Sequence, residues 1–258
     1  MTNTQNREEI KRKIITLFDK KIRGKKSDTS SSNTGHDGKD GHWLETQMGV
    51  RHNGKNEPDI DGFEMKNHTT SKTTFGDWSP DFILFKRGVR ILSRPEFLKL
   101  FGSPNPEKDN RHSWSGRSCP KINQFNDFGQ KLIVTEDDTI MAIYSYSEDK
   151  RTNKSNLMPD DFKKENYIIA SWSAELMKKR VEKKFNKLGW FKCNKNKEGI
   201  YTSIVFGNPI TFKIWIKGVK EGLIFFDSGM FDSETNKRPY SQWRANNNYW
   251  ESLITDTY

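Results

Sequence analysis

The chain has 258 residues, 32% of them hydrophobic, a mean hydropathy of −0.93 and a formal charge of +10. That suffices for one substantial domain or two small lobes around a thin core, in which the 17 Phe and 8 Trp must supply much of the packing. Cys119 and Cys193, without CxxC spacing, exclude a disulfide framework or cysteine-rich zinc site, no apolar run reaches membrane-spanning length, and a pI near 9.4 favours nucleic acid as partner.

Ile10, Ile14, Leu17, Phe18 and Ile22 recur at helical spacing and predict an amphipathic helix over 7–22. Its remaining face is basic, with Lys11, Arg12, Lys13, Lys20 and Lys21. Before it, residues 1–6 carry no apolar signal core, which predicts a cytoplasmic protein. Residues 24–41 hold no apolar side chain and predict a flexible loop. Trp43, Leu44 and Met48 then predict a short helix carrying Glu45. Asp61-Gly62 has the composition of a two-residue type I′ turn. Counting outward, Ile60 faces Phe63, Asp59 faces Glu64, Pro58 faces Met65 and Glu57 faces Lys66. Strand alternation puts Glu57, Asp59, Glu64 and Lys66 on one face and the apolar Pro58, Ile60, Phe63 and Met65 on the other. Facing carboxylates repel, and a divalent cation between them turns that liability into a binding site. Pro58 lacks a ladder N–H, which predicts an edge or bulged strand.

Beyond the hairpin, 81–85 reads as a strand and 94–101 as a helix with Phe97, Leu98 and Phe101 inward. Residues 102–130 read as loop-rich, and 131–135 with 139–146 as a second hairpin. A strand over 167–171 leads into a helix over 173–188, with Leu176, Met177, Val181, Phe185 and Leu188 inward. Lys178, Lys179, Lys183, Lys184 and Lys187 face outward, where they would add salt-dependent attraction to phosphate. A strand follows over 201–206. Residues 210–219 fit helical and strand periods alike, and 223–227 reads as a strand. The alternation predicts an α/β or α+β fold around a mixed sheet. Two stretches read as loops suited to DNA: Lys237, Arg238, Tyr240, Gln242 and Arg244 in 236–244, and Arg111 and Arg117 in 111–117. His68 is a further candidate for contact with the nucleic-acid backbone.

Asp59, Glu64 and Lys66, within the run Pro58-Asp59-Ile60-Asp61-Gly62-Phe63-Glu64-Met65-Lys66, have the order and spacing of the PD-(D/E)xK nuclease signature. With Gly41-His42-Trp43-Leu44-Glu45-Thr46 upstream, the chain resembles the MutH-like branch of that superfamily, which includes the MvaI/BcnI-type restriction endonucleases. The likeness is strongest over the first 85 residues or so and topological beyond them. It implies a restriction-endonuclease-like mixed sheet flanked by helices, with the catalytic motif within 1–100 and a DNA-recognition lobe to which 195–258 contributes. The same likeness favours a helix for 210–219. It also implies a type II enzyme, a monomer in the prokaryotic cytoplasm that hydrolyses double-stranded DNA at a specific sequence. A cognate DNA methyltransferase would be a functional rather than physical companion. One or two Mg²⁺ ions would be held by Asp59, Glu64 and the Met65 carbonyl. Lys66 would hold the attacking water or the phosphate charge, and Glu45 matches the helix-borne acid that supports a second metal or orients water.

Other readings stand beside this one. Asp59 and Asp61 also suit turn positions, and Glu64 and Lys66 suit an exposed strand pair. A mismatch-repair nickase, a junction-processing nuclease, a non-catalytic DNA-binding module or an RNA-binding protein would fit a related fold. The intact acid, acid and lysine set argues against a pure binder, because two facing carboxylates repel phosphate unless a cation intervenes.

Overall fold

Ile14, Phe18 and Ile22 repeat every four residues, which places them on one side of a helix. In the computed structural model, which describes residues 3–30, 39–50, 56–86, 88, 91–232 and 240–258, they are buried along the helix Asn3–Lys21 and its end. Lys11 departs from the expected basic surface: it is 3% exposed, and its ammonium meets Asp256 at 2.9 Å beneath the Tyr258 and Phe206 rings. Its place three residues before Ile14 and seven before Phe18 puts it on the buried stripe.

The chain divides into two compact units. The first comprises Met1–Thr73, Arg180–Thr211 and Asn246–Tyr258. Its sheet runs in the order Phe63–Asn67, Gly189–Lys195, Tyr201–Gly207, Ile254–Thr257. The first pair is parallel, with Glu64 beside Trp190 and Lys66 beside Lys192, and the other pairs are antiparallel. Phe63–Asn67 is therefore an edge strand, as Pro58 suggested. Alternation sorts the two faces. Phe63, Met65, Phe191 and Cys193 enter a core with Ile14, Phe18, Leu44, Tyr201 and Phe206, while Glu64, Lys66, Trp190 and Lys192 point the other way. Gly189, at φ +107°, cannot carry a side chain, because a Cβ there would stand 2.3 Å from the Gly207 carbonyl oxygen.

The second unit comprises Thr74–Lys179 and Phe212–Ala245. It contains a four-stranded antiparallel sheet ordered Phe82–Ile83, Tyr167–Trp172, Ile140–Asp149, Phe128–Val134. Trp114, Trp172, Trp243 and Phe226 interlock at centroid separations of 4.9–5.5 Å, the aromatic core that composition demanded. The helix Arg94–Phe101 begins at a Ser93/Glu96 capping box and buries Phe97, Leu98 and Phe101 as expected. Residues 210–219 resolve as the helix Phe212–Lys220, and both cysteines are buried thiols outside any disulfide. Residues 74–100 group with the second unit, and 195–211 with 246–258 in the first.

Two expected loops are strands. Residues 111–117 form the strand Arg111–Trp114 and a short 3₁₀ turn, and Ser241–Asn246 is the central strand between Ile224–Ser228 and Lys72–Asp77. Ser241, Trp243 and Ala245 are buried on alternate positions, a period-two signal that polar neighbours obscure in sequence.

Candidate functional site

The site begins at the Asp61-Gly62 turn. Both residues have positive φ, 44° and 98°, as a type I′ turn requires. Ile60 and Phe63 exchange backbone hydrogen bonds, with Ile60 N–H donating at 3.0 Å and Phe63 N–H at 2.7 Å. The ribbon stops there. Asp59 N–H also turns to the Phe63 carbonyl at 3.0 Å, and Pro58 has no N–H with which to extend a ladder. The expected facing pairs beyond Ile60 and Phe63 do not continue as strand pairs, and Glu57 meets Lys183 at 3.1 Å rather than Lys66.

A side chain takes the ladder's place. The Met65 N–H donates to Asp59 Oδ2 at 2.9 Å. In a strand, the N–H and C=O of one residue point to the same side, so the Met65 carbonyl also faces the outer edge where Asp59 stands. Glu64 and Lys66 turn their backbones to the ladder with Gly189–Lys195 and project their side chains onto the face opposite the core.

On that face Glu64 is 2% exposed. Its Oε1 accepts from Lys66 Nζ at 2.8 Å and lies 3.1 Å from Lys184 Nζ, while its buried Oε2 has no hydrogen-bond partner. Burial pushes the Glu64 carboxyl upward and Asp59 adds to the rise, while the Lys66 and Lys184 charges oppose it. Burial pushes the Lys66 ammonium downward, opposed chiefly by Glu64. A lysine held this way gives up its proton more readily than one in water.

The donor set fits a hard divalent cation: two carboxylates, one of them with an orphaned buried oxygen, and an edge-facing carbonyl, a number that suits an ion that keeps several of its waters. No trio of His, Cys, Asp and Glu gathers among the described residues. Glu45 lies on the helix Lys39–Gln47, whose Leu44 shares the core with Phe63 and Met65; its carboxylate stands 3.6 Å from His42 Nδ1.

Lys184, like Lys11, was placed wrongly by sequence reasoning, on the outer face of its helix. Met177, Val181, Lys184 and Leu188 stand at i, i+4, i+7 and i+11, so the lysine sits on the buried stripe. That spacing was the available signal.

The candidate DNA-contacting residues are dispersed in character. Arg244 donates to Thr74 Oγ1 at 2.9 Å and Asp227 Oδ2 at 3.0 Å, so its guanidinium supports its own sheet. Arg111 stacks on Phe231, 3.7 Å from the ring centre. Arg117 is well exposed, near Asp127 at 3.8 Å. Tyr240 and Gln242 are half-buried, as is His68, whose Nδ1 has no hydrogen-bond partner. Lys237 and Arg238 lie outside the described residues.

Comparison with known proteins adds three likenesses. The family model of the LlaMI restriction endonuclease matches residues 22–258. The type II restriction enzyme ScrFI of Lactococcus lactis subsp. cremoris is 43% identical over 266 aligned positions, covering 95% of this chain and 97% of that protein. The restriction endonuclease MvaI in complex with its cognate DNA superposes with a TM-score of 0.61 at 15% identity, covering 98% of this chain and 97% of that one, a likeness of fold.

Proposed function

This chain belongs to the LlaMI restriction endonuclease family and is a type II restriction endonuclease, and from that premise we propose that Asp59, Glu64, Met65 and Lys66 form its Mg²⁺-dependent catalytic centre. Family membership carries DNA as substrate and divalent-metal use in general terms. The observation that supports this particular centre is the meeting of Asp59 with the Met65 backbone at 2.9 Å beside the buried Glu64–Lys66 pair at 2.8 Å.

Asp59, Glu64 Oε2 and the Met65 carbonyl would hold the ion, of which one or two are engaged. When bound, Mg²⁺ neutralises charge on the phosphate and lowers the pKa of water. Lys66 as the ammonium holds the attacking water or stabilises the phosphate charge; burial favours loss of its own proton, and only as the neutral amine would it receive the water's. Lys184 keeps the Glu64 charge compensated while Lys66 changes partner. Glu45 orients water or supports a second ion from the neighbouring helix.

Recognition is assigned to a lobe to which the expected 195–258 segment contributes. Arg117, Tyr240, Gln242, Lys237 and Arg238 contact bases or phosphate there, and His68 contacts the backbone near the catalytic strand. Arg111 and Arg244 contribute through the surfaces they hold in place. The protein acts as a monomer in the cytoplasm, with a methyltransferase as its functional companion. No helix among the described residues is long and apolar enough to cross a membrane.

The test is a digest of phage DNA with Mg²⁺ or with EDTA. Discrete fragments that require Mg²⁺, and vanish in Glu64→Gln and Lys66→Met, support the proposal. A smear, or fragments that persist in either variant, contradicts it.

A further inference from the structure

The sheet face that carries Glu64 and Lys66 continues into a partly enclosed cavity of about 170 Å³, lined among others by His68, Lys192, Asn194, Lys195 and Glu251. Strand pairing locates it. Lys192 stands beside Lys66 in the parallel ladder, roughly 4.8 Å across, and His68 follows Lys66 by two residues, about 6.6 Å along the chain. Over such distances a DNA strand presents its next one or two phosphates, at one per about 3.4 Å of axis.

The cavity is cationic, and its charges are incompletely matched. Lys192 is 5% exposed and, among the described residues, makes neither an ion pair nor a hydrogen bond. Burial lowers its ammonium's pKa, and Glu251 opposes that shift. The His68 Nδ1 is buried without a hydrogen-bond partner, and burial together with the Lys192 and Lys195 charges holds its pKa down. Lys195 is already committed to Asp40 at 2.6 Å and Ser27 at 2.8 Å. Asn247, also in the lining, spends its amide on Thr69 and Thr73. A buried ammonium without a partner destabilises the fold that holds it. An anion with several acceptor oxygens satisfies Lys192 and His68 together.

We propose that this cavity binds one backbone phosphate of the DNA strand next to the scissile bond, with Lys192 as charge partner and His68 and Asn194 as hydrogen-bond donors. The contact positions the strand over Glu64 and Lys66 without reading sequence. It rests on the DNA-cleaving reading above.

The test uses the full chain and Lys192→Met, which keeps the stem's packing and removes the charge; Lys192→Gln serves in its place if the first variant does not fold. Binding to a random-sequence duplex is measured across a KCl series without divalent ions. The expected result is about ten-fold weaker binding, a salt-dependence slope smaller by about 0.9, and a melting temperature unchanged or higher. An unchanged slope in a folded variant overturns the assignment. So does inorganic phosphate raising the melting temperature of wild type but not of the variant while the DNA slope stays the same, because the cavity would then take a free anion. Wild-type cleavage of phage DNA is measured in parallel. An active wild type with an unchanged variant slope rejects this cavity alone, whereas an inactive wild type rejects the reading beneath it.

Discussion

Two separable duties are proposed for Asp59, holding the Met65 N–H and holding the ion, and two substitutions divide them. Its Oδ2 accepts from the Met65 N–H at 2.9 Å, where Met65 is 8% exposed and its N–H lies outside the sheet ladder. Removing the acceptor in Asp59→Ala leaves that N–H unpaired at a cost of about 2 kcal/mol, the range for a hydrogen bond to a charged group. Asp59→Asn retains an acceptor of the same reach and loses the charge, so its cost should stay under about 1 kcal/mol. In a chain of this size about 2 kcal/mol lowers the melting temperature by roughly 4–8 °C. Both variants should lose Mg²⁺-dependent cleavage of phage DNA, because neither offers a second carboxylate to the ion. Thermal melting and the digest, run on the same preparations, check both halves. Equal stability of the alanine and asparagine variants would refute the structural duty, and full cleavage by Asp59→Asn would refute the metal-binding one.

Lys184→Met removes an ammonium 3.1 Å from Glu64 Oε1, a Coulomb interaction of about 5 kcal/mol at an effective dielectric of 20. Desolvation and the remaining Lys66 contact offset most of that, so we expect about 1–2 kcal/mol of destabilisation and cleavage roughly ten-fold slower; unchanged cleavage would leave Lys184 a packing residue. Arg244→Ala breaks the bonds to Asp227 and Thr74 and should lower stability by about 2 kcal/mol, whereas lost site preference at an unchanged melting temperature would return the side chain to base reading. Asp256→Asn probes the pair with Lys11. The hydrogen bond from Lys11 holds the Asp256 pKa below 3.8, so its contribution is present above that value and lost as pH falls through the lower folded one. Burial opposes charge on Lys11, but Asp256, Tyr258 and Glu8 outweigh it and raise its pKa above 10.5, so that side of the pair holds until strongly alkaline pH. The melting-temperature gap between wild type and Asp256→Asn should therefore stay constant from about pH 5 to 9 and close below about pH 4; a gap that widens in acid would contradict the pairing.

The turn at Asp61-Gly62 was legible because few residue pairs tolerate two positive φ angles in succession, and the helix over 94–101 and the strand beginning at Tyr167 were legible from their apolar residues. The long hairpin was not, because its continuation is decided by competition. Asp59 caps Met65, and the strand finds its better partner in Gly189–Lys195, some 120 residues away. That strand went unread, since Lys192, Asn194 and Lys195 give it the look of a polar loop after a helix. Long-range parallel pairing leaves no local turn signal to mark it. Composition misled at Ser241–Asn246 for a related reason. Gln242 and Arg244 suggested a recognition loop, while the alternation of Ser241, Trp243 and Ala245 marked a buried strand. At the site itself, the order of acid, acid and lysine was visible, and the spacing of Met177, Val181 and Leu188 marked the half-buried Lys184 although its charge pointed outward; the cationic cavity beyond Lys66 depends on contacts that no spacing rule supplies.

The most direct measurement is the anomalous density of Mn²⁺ in crystals of the wild-type protein, with Mn²⁺ standing in for Mg²⁺ as another oxygen-ligated cation. A peak is expected roughly 2.1 Å from an Asp59 oxygen, a Glu64 oxygen and the Met65 carbonyl, with the Lys66 ammonium beside its outer waters. A peak on other side chains, or none in protein that cuts DNA under the same Mn²⁺, would contradict it.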